Sequence, residues 1–167
     1  VYAKGMWFLA GDSFANRCSA SRDLPFVPEE FHEEIGKLKF SLESDRDVIS
    51  GLYRDTFDGV IAGTVELNWM VLGWNFPLRK LVPVLMATRT LEKLYLNGNQ
   101  LTGAIPRELG QLTQLKELIL FDNWLTGAIP RELGQLTQLK ELDLYRNQLT
   151  GAIPRELGQL TQLTGLY

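Results

Sequence analysis

The sequence predicts an α/β solenoid of stacked repeats, with a parallel β-sheet lining the concave face and a helical cap at the N-terminal end. Three observations carry this prediction. Leu91, Leu115, Leu139 and Leu163 open successive copies of a 24-residue unit. The segment LTGAIPRELGQLTQLKEL at 101–118 returns unchanged at 125–142, and its first fifteen residues return again at 149–163. So short a fixed period marks a stacked array rather than a globular core, because each unit buries its apolar face against its neighbours.

Within a unit, Leu118 and Leu120 alternate as a short strand with one buried and one open side. Asn99, Asn123 and Asn147 stand where the chain must turn out of that strand. An Asn amide serves neighbouring backbone donors and acceptors there, so stacked copies form a ladder. In the return path Ile105, Leu109 and Leu112 point inward. Pro106 suits the first position of a helical turn, and Gly110 suits its end by tolerating positive φ. Each unit buries roughly six or seven apolar side chains at about 1.5 to 3 kcal/mol apiece. Ordering two dozen residues costs about 1 to 2 kcal/mol each in backbone entropy, so no unit stands alone.

The pattern LxxLxLxxN at Leu115, Leu118, Leu120 and Asn123, followed by LTGxIPxxLGxL from Leu125 to Leu136, resembles the plant-type leucine-rich repeat. The resemblance implies a horseshoe-like scaffold that recognises a protein or peptide without catalysis.

Running the frame backward places Leu67, Met70, Leu72 and Asn75 at its four key positions. A degenerate first repeat is therefore expected at 67–90, followed by units at 91–114, 115–138 and 139–162 and a truncated fifth from 163. Residues 1–66 form the expected N-terminal cap region. There PEEFHEEIGKLKFSL from Pro28 to Leu42 reads as an amphipathic helix with Phe31, Ile35, Leu38 and Leu42 on one face. A second helix is expected from Ser44 or Asp45, turning Val48, Ile49, Leu52 and Tyr53 inward. The run DRDVISGLYRDTFDG resembles the helical cap that precedes such repeats in some algal and protist proteins. Trp69 and Trp74 are expected to pack against this cap.

Function is read from the positions at which otherwise identical copies differ. Between 115–138 and 139–162 the changes are Ile119 to Asp143, Phe121 to Tyr145, Asp122 to Arg146 and Trp124 to Gln148. All four fall in or just after the strand, as in a constant scaffold with a variable reading face. Recent duplication with drift gives the same pattern. With the leucines pointing in, Lys93, Tyr95 and Asn97 point out, as do Glu117, Ile119 and Phe121, and Glu141, Asp143 and Tyr145. One expected column is Val71, Tyr95, Ile119, Asp143 and Tyr167, and a second is Gly73, Asn97, Phe121 and Tyr145. With Asp122 and Arg146 at the edge, these outward residues from Lys93 to Arg146 are the candidate partner-binding set, since rigid aromatics supply contact area and charges set orientation. Five strands give a face of roughly 260 Å² in projection, against about 800 Å² per side for a stable protein interface. A short peptide, or part of a larger interface, fits that area.

Other classes leave weaker marks. The net charge is -3 and no basic run occurs, which speaks against nucleic acid. The apolar run Met6–Ala10 is far shorter than the roughly 20 residues of a membrane span and lacks a signal-peptide layout. Cys18 is alone and no Asn-x-Ser/Thr sequon occurs. Both lean toward a reducing, intracellular compartment, and toward an extracellular one if the chain is a piece of a receptor ectodomain. Gly11-Asp12-Ser13 after an apolar run resembles the nucleophile block of GDSL-type esterases. The only histidine, His32, lies nineteen residues on, without the Asp-x-x-His such a mechanism needs. His32 with Glu29, Glu33 and Glu34 reads as a solvated acidic face rather than a metal site. No cofactor is implied. A spacer or scaffold role within a larger receptor-like or signalling protein is the alternative, and the open end at Tyr167 would favour self-association.

Overall fold

The computed structural model describes residues 61–167 together with Gly51, Arg54 and Asp55. The expected helix at 28–42, most of the second helix, Ser13, Cys18 and His32 lie outside the described residues. Five short strands form the principal sheet: β1 (Glu66–Asn68), β2 (Lys93–Tyr95), β4 (Glu117–Ile119), β6 (Glu141–Asp143) and β8 (Gly165–Leu166). They pair in parallel in the order β1-β2-β4-β6-β8, with Leu94, Leu118 and Leu142 side by side. Between them a second parallel sheet joins β3 (Thr102–Gly103), β5 (Trp124–Gly127) and β7 (Gln148–Leu149). This sheet, built from the Asn-x-Leu-Thr-Gly segments, was not anticipated. Leu101 and Leu125 anchor it in the core, and the glycines at 103, 127 and 151 take φ of +78° to +83° as the chain leaves it.

Each regular coil returns through a single 3₁₀ turn: Arg107–Gln111, Arg131–Gln135 and Arg155–Gln159. Pro106 does not open the turn from inside. It caps it in an extended conformation, φ -65° and ψ 130°. Gly110 likewise serves another purpose than the one expected. Its φ is not positive, and a Cβ placed on it would lie 2.3 Å from the Glu132 carbonyl oxygen of the next coil. The Leu-Gly step therefore exists to let adjacent return paths touch backbone to side chain-free backbone.

The first coil departs from the expected frame. Leu67 pairs with Leu94, not with the position of Leu91, so this coil runs three residues longer than the regular ones. Its return passes through a 3₁₀ turn, Leu78–Leu81, straight into the helix α1 (Val82–Ala87), and this longer path takes up the added residues. The sheet already includes Glu66. Leu72, not Asn75, occupies the ladder position of Asn99, and Asn75 is exposed.

The core runs continuously along the stack. Leu94, Leu96, Leu118, Leu120 and Leu142 are fully buried, joined from the return side by Leu109, Leu133 and Leu136. Trp69 and Trp74 close it at the first coil, their rings 5.4 Å apart. The asparagine ladder holds the corner between the two sheets. Asn123 Nδ2 donates to the carbonyls of Leu96 and Leu120, while its Oδ1 accepts from Leu101 N–H. Each such amide thus ties its own coil to the one before it, replacing ladder bonds that the turn interrupts.

Candidate binding face

The register brings the first-sheet residues into columns. Asn68, Tyr95, Ile119 and Asp143 stand opposite one another, and Tyr167 follows Leu166 at the far end. Val71 is therefore not in this column, as the three-residue longer first coil moves it past the strand. It sits at φ +56°, in line with Gly98 (φ +68°), Asp122 (φ +56°) and Arg146 (φ +52°), at the corner where the chain leaves the sheet. Gly73 is displaced from the second column for the same reason. The residue before Val71, Met70, takes that place next to Asn97.

The outward residues are not equally available. Tyr145 is 60% exposed and Arg146 lies over its ring, 5.4 Å from guanidinium carbon to centroid. Asp122 is exposed, and Phe121, Glu141 and Asp143 are half-buried. Ile119 and Asn97, in contrast, are each only 7% exposed. In-register neighbours on both adjacent strands cover them: Tyr95 and Asp143 flank Ile119, and Phe121 lies beside Asn97. Asn97 Oδ1 has no hydrogen-bond partner among the described residues.

Tyr95 is engaged rather than free. Its hydroxyl donates to Glu117 Oε2, and Lys93 Nζ lies 3.0 Å from Glu117 Oε1. Burial, then the Glu117 carboxylate, push the Tyr95 phenol up to about 12. The Tyr95 hydroxyl and the Lys93 ammonium hold the Glu117 carboxyl below the ordinary carboxylate range, and Glu117 in turn raises Lys93. On β6 the same face carries Glu141 and Asp143, with Asp143 Oδ1 accepting the Tyr145 N–H at 3.0 Å.

Trp124 extends the face further than the strands alone suggest. It is 50% exposed on β5, around the asparagine corner from Phe121 and Asp122. The four positions that differ between copies thus form one strip running from the first sheet over the corner onto the second. The copy-to-copy difference at 124 and 148 was the signal for it. A separate cavity of about 240 Å³, lined by residues including Thr88, Arg89, Leu112 and Gln114, lies on the return side away from this strip. Among the described residues no cluster of His, Cys, Asp and Glu could hold a metal, and no helix is long and apolar enough to cross a membrane.

The Leucine Rich Repeat family pattern matches residues 90–112, 114–136 and 138–160. No curated protein matches the chain at a significant level. Among solved structures, the ectodomain of the receptor kinase HAESA from Arabidopsis, in complex with an IDA peptide hormone, is 33% identical over 68% of this chain and 19% of its own, with a TM-score of 0.59. The BIR2 ectodomain from Arabidopsis thaliana is 32% identical over 59% of this chain and 50% of its own, TM-score 0.55. A plant ice-binding protein is 32% identical over 63% of this chain and 33% of its own, TM-score 0.55. The chain therefore spans half or less of each of these structures. Three consecutive matched repeats, parallel strands in register and a continuous asparagine ladder identify residues 90–160 as an array of leucine-rich repeats.

Proposed function

We propose that the array is a noncatalytic recognition module whose concave face binds a peptide or an extended segment of a partner protein. The observation that carries this reading is that the copies at 115–138 and 139–162, identical in their frame, differ only along the strip from Ile119 to Trp124 and from Asp143 to Gln148. The strip holds the exposed Tyr145, Arg146, Asp122 and Trp124. A family fold does not choose its own ligand, as an ice-binding protein among the similar structures illustrates. The case therefore rests on the residues of the strip, with the peptide complex of HAESA as support for the class of partner. The ectodomain neighbours also favour placement outside the cell over the intracellular lean of the single cysteine.

The test is binding to a displayed library of random peptides, followed by the triple substitution Tyr95→Ala, Phe121→Ala and Tyr145→Ala. Selected peptides should lose binding while circular dichroism stays unchanged. Unaltered binding by the triple variant would remove this face from consideration. A spacer role is favoured by a different observation: on the return side the repeated Arg107, Arg131 and Arg155 each pair with the adjacent glutamate, leaving a self-neutralised surface. Failure to select any peptide would favour that role.

A further inference from the structure

The corner at which the first coil turns into β2 is built differently from those that follow. Leu115, Leu139 and Leu163 each close their corner by donating the backbone N–H to the carbonyl three residues back, at Leu112, Leu136 and Leu160. At Leu91 no such bond forms, and among the described residues its N–H has no hydrogen-bond partner, although Leu91 is only 2% exposed. The cause lies two residues earlier. Thr113, Thr137 and Thr161 turn their N–H onto the glutamine two residues back, whereas Arg89, in the same place, donates its N–H to the Ala62 carbonyl. Thr90 Oγ1 adds bonds to the carbonyls of Ala62 and Thr64. The corner is thus tied to the segment leading into β1, and the cavity of about 240 Å³ separates it from residues 111–114 of the next coil.

The chemistry of the wall has one sign. Its floor is the buried Thr88, Leu91 and Leu112, and its rim carries the exposed Arg89, Gln111 and Gln114. No acidic side chain lines it among the described residues. Arg107, Arg131 and Arg155 each pair with the adjacent glutamate, but Arg89 has no carboxylate within 4 Å among the described residues. A buried N–H without an acceptor calls for a partner, and a guanidinium beside it favours one that is negatively charged. The volume bounds the size of that partner. It exceeds the roughly 150 Å³ that takes a benzene ring and falls below the roughly 300 to 1,000 Å³ of pockets for drug-sized ligands.

We propose that this cavity is a binding site for a carboxylate on a short alkyl arm, either a free small acid or the side chain of an acidic residue in a partner. The Arg89 guanidinium takes the charge, and the Leu91 N–H donates to a carboxylate oxygen. The Gln111 and Gln114 amides close the rim, while the Leu91 and Leu112 side chains pack against the methylenes. The site lies on the return side and is independent of the strip on the concave face.

The experiment titrates the ¹⁵N-labelled full chain, at constant ionic strength, with glutarate and with the end-blocked peptide Ala-Glu-Ala. Glutaramide and end-blocked Ala-Gln-Ala serve as their neutral counterparts. At least one of the two acids should shift the amides of Leu91, Leu112 and Gln114 saturably, with the Leu91 proton moving downfield as it gains an acceptor. That acid should bind about tenfold more tightly than its neutral counterpart. Glutarate binding without the peptide assigns the cavity to a free small acid, and peptide binding at least as tight assigns it to an acidic residue of a partner. Arg89→Gln should erase the preference with circular dichroism unchanged, and Arg79→Gln, an exposed cation outside the cavity, should preserve it. No saturable shift at these amides from either acid, equal binding of the neutral counterparts, or a preference that survives Arg89→Gln overturns the site.

Discussion

Gly134 lies against Glu156 of the following coil so closely that a β-carbon on it would sit 2.5 Å from the glutamate's carbonyl oxygen. The obstacle is backbone, which cannot swing aside as a side-chain tip can. The same Leu-Gly-Gln step at Gly158 meets nothing within 4 Å among the described residues. Identical local sequence thus carries opposite packing demands. Gly134→Ala should destabilise the array by about 1 to 3 kcal/mol, the usual range for forced overpacking. Gly158→Ala should stay within about 0.5 kcal/mol of the parent. Urea denaturation of both variants measures this, and equal effects would show that the coils relax around the added methyl.

The asparagine ladder predicts a graded cost along the stack. Asn123 is buried, and its amide serves Leu101 N–H and the carbonyls of Leu96 and Leu120. Asn147 makes the same pattern with Leu125, Leu120 and Leu144 but is half-exposed. Removing the Asn123 amide orphans the buried Leu101 N–H, while the Leu96 and Leu120 carbonyls keep Asn99 and Asn147 as donors. Removing the Asn147 amide orphans Leu125 N–H and the Leu144 carbonyl at a half-exposed corner, and an orphaned group costs about 1 to 3 kcal/mol only where water cannot replace the lost partner. Asn123→Ala should therefore destabilise more than Asn147→Ala under the same denaturant. The reverse order would mean that Leu101 N–H finds water once the Asn123 amide is gone.

Much of this architecture was legible because the repeat imposes one answer many times. Leucine spacing located the first-sheet strands, and the asparagine spacing located the corner. The second sheet was not legible, because Gln148–Leu149 and Thr102–Gly103 are too short for alternation to show. The register of the first coil was missed for a different reason. Leu67, Leu72 and Asn75 fit a 24-residue frame by residue type, and only backbone pairing shows that Leu67 belongs opposite Leu94. At the binding face the sequence separates inward from outward positions. It does not reveal that Tyr95 spends its hydroxyl on Glu117, or that strands on either side bury Ile119.

The corner positions make a prediction about strain. Val71 and Arg146 hold φ of +56° and +52°, a region that disfavours side chains with a β-carbon by roughly 1 to 2 kcal/mol. Glycine would release that strain at an entropic cost of roughly 0.5 to 1 kcal/mol in the unfolded chain. Arg146→Gly should therefore stabilise by about 0.5 kcal/mol. Val71→Gly should gain more, because a β-branched residue is the poorest occupant of left-handed backbone and Val71 is mostly exposed. Thermal unfolding of the two variants tests the order. Loss of stability in both would mean that the Arg146–Tyr145 stack and the Val71 contact beside Gly98 outweigh the backbone strain.

The Tyr95–Glu117 pair gives stability an expected dependence on pH at both ends. The carboxyl of Glu117 is held low by the Tyr95 hydroxyl and Lys93, so its contribution is complete above about pH 4.3, the ordinary glutamate value, and is lost as pH falls through the depressed folded value. The phenol of Tyr95 is held high, so its contribution is complete below about pH 10 and is lost as pH rises through about 12. Because burial is the larger cause at Tyr95, Glu117→Gln should flatten the acid limb while leaving most of the alkaline one. Tyr95→Phe should remove this residue's alkaline contribution entirely and shrink the acid one, since Glu117 loses its donor but keeps Lys93. Denaturant midpoints measured across the pH range for the parent and both variants resolve the two limbs. An alkaline limb that disappears in Glu117→Gln would show that the carboxylate, not burial, governs the tyrosine.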